Sequence, residues 1–198
     1  VHGSGSLGTV GAATGNRATA AIHAQLVNLL LGPNVDRFTY AGDNTSDHFY
    51  AISLKRARMR EKVDPGNWEL HLDAGANLVK LIDDSGATAN PSTGVGGRVF
   101  NVVSGSIQSG TTSTKTAAAS QAGGGYGLFY PDMGLIILNA AQMDSLVADI
   151  TTVTTSNTLG ANVPRFFDSI VQGALFQGRR EERLSSTHYF CRAGNKEF

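Results

Sequence analysis

The chain has 198 residues, 41% of them apolar and 16% charged, enough for one sizeable core or two small ones. Its 16 basic and 16 acidic side chains cancel, so no overall field gathers nucleic acid, acidic substrates or an anionic membrane, and any charged partner must be met locally. One cysteine, Cys191, excludes an internal disulfide framework and a cysteine-rich metal site, and fits a reducing compartment such as a cytoplasm. The longest apolar runs, around Leu29-Leu30-Leu31 and Leu135-Ile136-Ile137-Leu138, fall far short of the roughly 20 residues a membrane-spanning helix needs. With 24 glycines and many Ser, Thr, Ala and Asn residues, the composition suits turns, short strands and surface loops more than a helical bundle.

Residues 1–18 offer almost nothing to bury and are expected as a flexible or truncated segment, ahead of a single domain over 19–198. Ile22, Leu26, Leu29 and Leu30 recur at helical spacing, which predicts a helix over 19–31 stopped by Gly32-Pro33. Alternation in 49–54 puts Tyr50, Ile52 and Leu54 on one side, and Trp68, Leu70 and Leu72 repeat it in 68–72. The turn residues Asp64-Pro65-Gly66-Asn67 lie between, so the two runs read as paired strands. Further strands are expected over 78–82, closed by Asp83-Asp84-Ser85-Gly86, and over 98–103. Residues 104–125 are small and polar and read as a long exposed loop. The apolar run within 134–139 reads as a strand buried on both faces. Helices over 140–150 and 164–176 follow, the second with Pro164 near its first turn, and a strand over 187–192 closes the chain. The expected class is α+β: a mainly antiparallel sheet with about three helices packed on it and long Gly/Ser/Thr loops.

Motifs for chemistry dissolve on inspection. Gly3-Ser4-Gly5-Ser6-Leu7-Gly8 spells a dinucleotide fingerprint, but no strand precedes it and no acidic residue follows at about 20 residues. Residues 110–116 approach a phosphate loop, yet Thr114 and Ser109 stand where its glycines belong, so a solvated loop is expected. Asp83 and Asp84 read as turn residues, and His2, His23, His48, His71 and His188 show no ligand spacing. No nucleophile-base-orienter set is visible, so no catalytic, cofactor or metal residue is nominated and no enzyme is expected. Cys191 reads as a buried small hydrophobe within the last strand. Asn44-Thr45-Ser46 fits a glycosylation acceptor only in a secreted protein. The concentrated charge is Lys55-Arg56-Ala57-Arg58-Met59-Arg60-Glu61-Lys62, five basic residues in eight. It lacks an aromatic ladder, so Lys55, Arg56, Arg58, Arg60 and Lys62 read as a solvated or subunit-pairing surface in preference to a nucleic-acid site. Arg179-Arg180-Glu181-Glu182-Arg183 reads as an internally compensated surface.

Five phrases carry a resemblance. They are Asp64-Pro65-Gly66-Asn67-Trp68-Glu69-Leu70, Ile82-Asp83-Asp84-Ser85-Gly86 and Val99-Phe100-Asn101-Val102-Val103-Ser104-Gly105, then Tyr126-Gly127-Leu128-Phe129-Tyr130-Pro131-Asp132-Met133-Gly134 and Glu182-Arg183-Leu184-Ser185-Ser186-Thr187-His188-Tyr189-Phe190 with its continuation to Phe198. In that order, over about 46–198, the chain resembles an uncharacterised family of virion structural proteins from marine contractile-tailed phages, chiefly those infecting cyanobacteria. Members of that family are longer at both ends, so both ends here read as cuts through a longer chain. The resemblance implies a tail or baseplate component of the virion, assembled in the host cytoplasm. Its expected partners are other virion proteins or copies of itself, with no membrane, cofactor or small-molecule substrate. The alternative is a tail-tip receptor or glycan-binding module that stacks Tyr126, Phe129 and Tyr130 on sugar rings from loops.

Overall fold

The computed structural model describes residues 2–5, 14–41, 43–85, 92–108, 112–115, 125–147, 149–150 and 156–192. It is α+β: a mainly antiparallel sheet curled into a half-barrel, with helices on it. In chain order come β1 (His2–Gly5), α1 (Thr14–Leu31), the short pair β2 (Thr39–Tyr40) and β3 (Asn44–Thr45), β4 (His48–Ser53), α2 (Arg56–Met59) and β5 (Lys62–Asp73). Then follow β6 (Leu78–Asp83), β7 (Ser92–Gly94), β8 (Gly97–Gln108), β9 (Thr112–Lys115), β10 (Gly127–Tyr130) and β11 (Leu135–Asn139). The chain continues through α3 (Ala140–Leu146) and α4 (Ser156–Gly173) to β12 (Phe176–Glu181). The large sheet runs β1-β4-β11-β10-β8-β6-β5-β12, with β7 and β9 both added to β8.

Strand alternation separates two cores, one on each face of this sheet. Tyr50, Ile52, Trp68, Leu70, Leu72, Phe129, Ile136 and Leu138 point to the side covered by α3 and α4, where Phe166 stacks on Tyr50 at 4.9 Å. Phe49, Ala51, Leu128, Tyr130, Leu135 and Ile137 point to the side covered by α1. The α1 stripe is Val27 and Leu30 with the buried His23, while Leu29, expected on the inner face, is 51% exposed. Burial of His23 between Phe38 and Phe49 lowers its pKa, because the charged ring would lose its water.

Several expectations change. The runs at 49–54 and 68–72 are strands but not partners: β4 pairs with β1 and β11, and β5 with β6 and β12. Asp64-Pro65-Gly66-Asn67 does not reverse the chain. It stays inside β5 as a bulge opposite a register shift between Gly178 and Arg180, held where Gly66 N–H donates to Asp83 Oδ2 at 2.6 Å. The loop expected over 104–125 is partly sheet, since β8 continues to Gln108 and pairs with β9; residues 109–111 and 116–124 lie outside the described residues. The fingerprint's Gly3 and Gly5 lie in β1, paired with β4, and not in a strand-to-helix turn. At the other end of the chain, α4 begins at Ser156 and encloses Pro164, and the strand expected over 187–192 is an extended segment with Cys191 exposed. No helix among the described residues is long and apolar enough to cross a membrane.

Two strands approach very closely at Gly127, where a Cβ would lie 2.2 Å from the Ile137 carbonyl oxygen. Only a hydrogen fits between β10 and β11 there. Gly127→Ala is therefore expected to cost about 3 kcal/mol, at the upper end for overpacked interiors, and urea unfolding measures it. Stability equal to the wild type's would contradict this close packing.

Candidate functional site

The antiparallel register fixes which end of the inner face is closed. Phe49 lies opposite Asn139, where α3 begins with Asn139 Oδ1 capping the Ala141 N–H, and Ser169 donates from α4 to the Asp73 carbonyl. The helices thus fill the end formed by Tyr50, Leu138 and Leu72. At the opposite end, where Ser53 meets Leu135, the half-barrel is left as a groove of about 870 Å³ between α2 and β12. Trp68, Phe129, Ile136 and Val63 form its apolar floor, with the Trp68 and Phe129 rings 5.0 Å apart. Trp68 is buried, and its Nε1–H has no acceptor among the described residues.

The rim is cationic for a local reason. Residues after β4 leave the sheet as the single turn α2, which seats Met59 inside and turns Lys55, Arg56 and Arg58 outward. Lys55 and Arg58 border the groove from this side, and Arg179, at the bulge, borders it from β12. None of these three has a counter-charge among the described residues.

The rest of the basic run is spent in an ion network. Arg60 pairs with Glu182 at 3.1 Å and Lys62 with Glu181 at 2.8 Å, while Arg98 reaches both Asp132 and Glu181. Bonding to Lys62 holds the Glu181 carboxyl below the usual range, and for Asp132 the bonds from Arg98 outweigh a burial effect that acts the other way. Within 179–183, Arg180 pairs with Glu182 as an internally compensated segment would, but Glu181 is bound to other elements and Arg179 to none. The network clamps the end of β12 to β5, β8 and the β10–β11 turn.

Past that clamp, residues 182–192 run as an extended arm without secondary structure. Leu184, Tyr189 and Phe190 on it are 89%, 86% and 98% exposed. Sequence reasoning placed the last two in a strand and missed the arm, because a short apolar, aromatic run looks alike whether or not a neighbouring strand is there to pair with it.

Of the expected contact residues, the fold brings Lys55, Arg58 and Phe129 to the groove and puts Arg60 and Lys62 in the ion network beside it. Arg56 is exposed on α2. The aromatic residues are not a loop platform: Phe129 and Tyr130 are β10 core residues on opposite faces, 0% and 1% exposed, and Tyr126 is half-buried against the inner core. Gln177 and Arg179 of the groove were missed as site residues, since β12 has no apolar alternation to mark it as a strand, and Trp68 was read as a strand residue without a site role.

Other polar clusters are tied into the fold. Asp84 accepts from the backbone N–H and the side-chain amide of Asn101, and Asp83 from the Gly66 and Ser85 N–H groups. Among the described residues, no group of three or more His, Cys, Asp or Glu side chains is placed to hold a metal ion. Glu69 is buried on β5 and accepts from His71, the Ile107 N–H and Gln177, joining β5 to β8 and β12. No family model, curated protein or solved structure matches the chain.

Burial raises the Glu69 pKa, but those hydrogen bonds outweigh it and hold the carboxyl below its ordinary 4.5. A lowered carboxyl stabilises the fold above its unfolded value, and that contribution is lost as pH falls through the folded value. Glu69→Gln is expected to be less stable than the wild type at pH 7, with the gap narrowing only below about pH 4.5. Urea midpoints of the two proteins across pH measure this; a gap of constant size would show that the ionised carboxylate adds nothing.

Proposed function

We propose that this chain is a structural subunit of a phage particle, built into the tail or baseplate and acting by assembly with other virion proteins or with copies of itself, not by catalysis. The observation that carries the reading is the arm: Leu184, Tyr189 and Phe190 stand in solvent beyond a clamped strand end. Fully burying each such side chain is worth about 1.5–3 kcal/mol, a driving force that only another surface can collect. An extended segment needs little room and presents its backbone for pairing, which suits an arm laid on a neighbouring subunit. The resemblance to virion proteins supports the same reading, and the sheet-rich body supplies a rigid mount. A tail-tip glycan module draws less support, because two of the three aromatic residues it would use are in the cores.

Antibody raised against the chain and coupled to gold is expected to decorate purified particles. Label confined to infected cytoplasm would sink the proposal. Replacing Leu184, Tyr189 and Phe190 by serine should leave thermal stability within about 0.5 kcal/mol of the wild type, as for other exposed sites, while abolishing incorporation into particles. A triple variant that is incorporated normally would remove the arm from the mechanism.

A further inference from the structure

Besides the arm that this subunit extends, we infer that the groove between α2 and β12 is a receptor for an extended acidic segment of a partner protein, bound as an added strand with one apolar side chain on the floor. Three observations converge on that occupant. First, β12 is the terminal strand of the sheet, so one of its edges is unpaired among the described residues. Five consecutive β12 residues, 176–180, line the groove; a strand presenting a face would contribute only alternate ones, so β12 borders the groove with its edge. An unpaired edge is satisfied by backbone N–H and C=O groups in register, which a peptide carries and a small organic ligand does not.

Second, the rim has one sign. Lys55 and Arg58 on one bank and Arg179 on the other have no counter-charge among the described residues, although the neighbouring cations Arg60, Lys62, Arg98 and Arg180 are all paired. In a chain whose charges sum to zero, carboxylates of another chain are the complement of this patch. The arm of a second copy fits poorly here, because Arg183 and Arg192 outnumber its one acid, Glu182.

Third, the floor is apolar. Trp68, Phe129, Ile136 and Val63 lie beneath a volume of about 870 Å³ as buried side chains, a closed hydrophobic surface on which an apolar side chain of the added strand can rest. The bulge at Asp64-Pro65-Gly66-Asn67 shifts the register opposite Arg179, marking the stretch of β12 where the added strand crosses the rim.

Trp68 is the chain's single tryptophan, so its emission reports on the groove alone. The probe is a capped peptide of about nine residues, all Asp and Glu around one central phenylalanine, matching the five-residue edge with overhang on both sides. Titrated into the full chain, it should shift Trp68 emission and bind at least about tenfold more tightly than the same peptide with lysines for the acids, the preference shrinking with salt. N-methylation of alternate backbone nitrogens should weaken it by about the same factor, since pairing donors are lost. Reversing the rim with Lys55→Glu, Arg58→Glu and Arg179→Glu together should switch the preference to the lysine peptide, an outcome that misfolding would not produce. Absence of acidic-peptide binding at high concentration, equal binding of the two peptides, or an unchanged preference in the reversed variant would each overturn the inference. Labelling of particles is independent of all these outcomes, so the assembly reading and the groove reading can fail separately.

Discussion

Strand β11 is buried along its whole length, and the two cores meet on it. Ile136 and Leu138 enter the core under α3 and α4, while Leu135 and Ile137 enter the one under α1. Because alternate residues serve opposite faces, a one-residue slip against β4 or β10 would exchange the two sets and leave both layers wrong at once. Register is therefore fixed at the centre of the sheet, and Gly127, pressed on the Ile137 carbonyl, is the point where that constraint tolerates no added atom.

From this fixed centre the sheet curls, and its helices are too few to fill the concavity. Phe166 closes one end against Tyr50, where the Tyr50 hydroxyl also donates to Asp144. Among the described residues, the other end receives the one turn of α2 and its buried Met59. The groove is a consequence of the same packing that stabilises the body: burying one end against α3 and α4 leaves the ends of β4, β11, β5 and β12 to be covered by something else.

Electrostatics then distinguishes two parts of one basic run. Exposed pairs such as Arg60 with Glu182 are individually weak, but five such contacts around the β12 terminus restrict where the arm can begin. Lys55, Arg58 and Arg179, which border the groove, are outside that network, as is Arg56, exposed on α2 away from it. The clamped root of the arm and the uncompensated rim of the groove both lie at the β12 end of the sheet.

Much of the body was legible in the sequence. Residue periodicity carries α1, β4, β6, the start of α3 and the doubly buried β11, because each was long enough or apolar enough for one face to dominate. Other elements were not legible. β12, Phe176-Gln177-Gly178-Arg179-Arg180-Glu181, is an edge strand held by backbone pairing to β5, so its side chains record nothing of its state. Asp64-Pro65-Gly66-Asn67 has turn chemistry, but whether such residues reverse the chain or bulge within a strand depends on the partner strand, which local sequence does not name. The same limit governs the site. Sequence determined that a cationic cluster follows β4 and that a short aromatic run, Tyr189-Phe190, lies near the end; only the tertiary structure decided which cations are neutralised and that this run pairs with no strand among the described residues. Helical and strand periodicity are local properties of a chain, whereas the pairing of Arg60 with Glu182 and of β5 with β12 depends on residues more than a hundred positions apart.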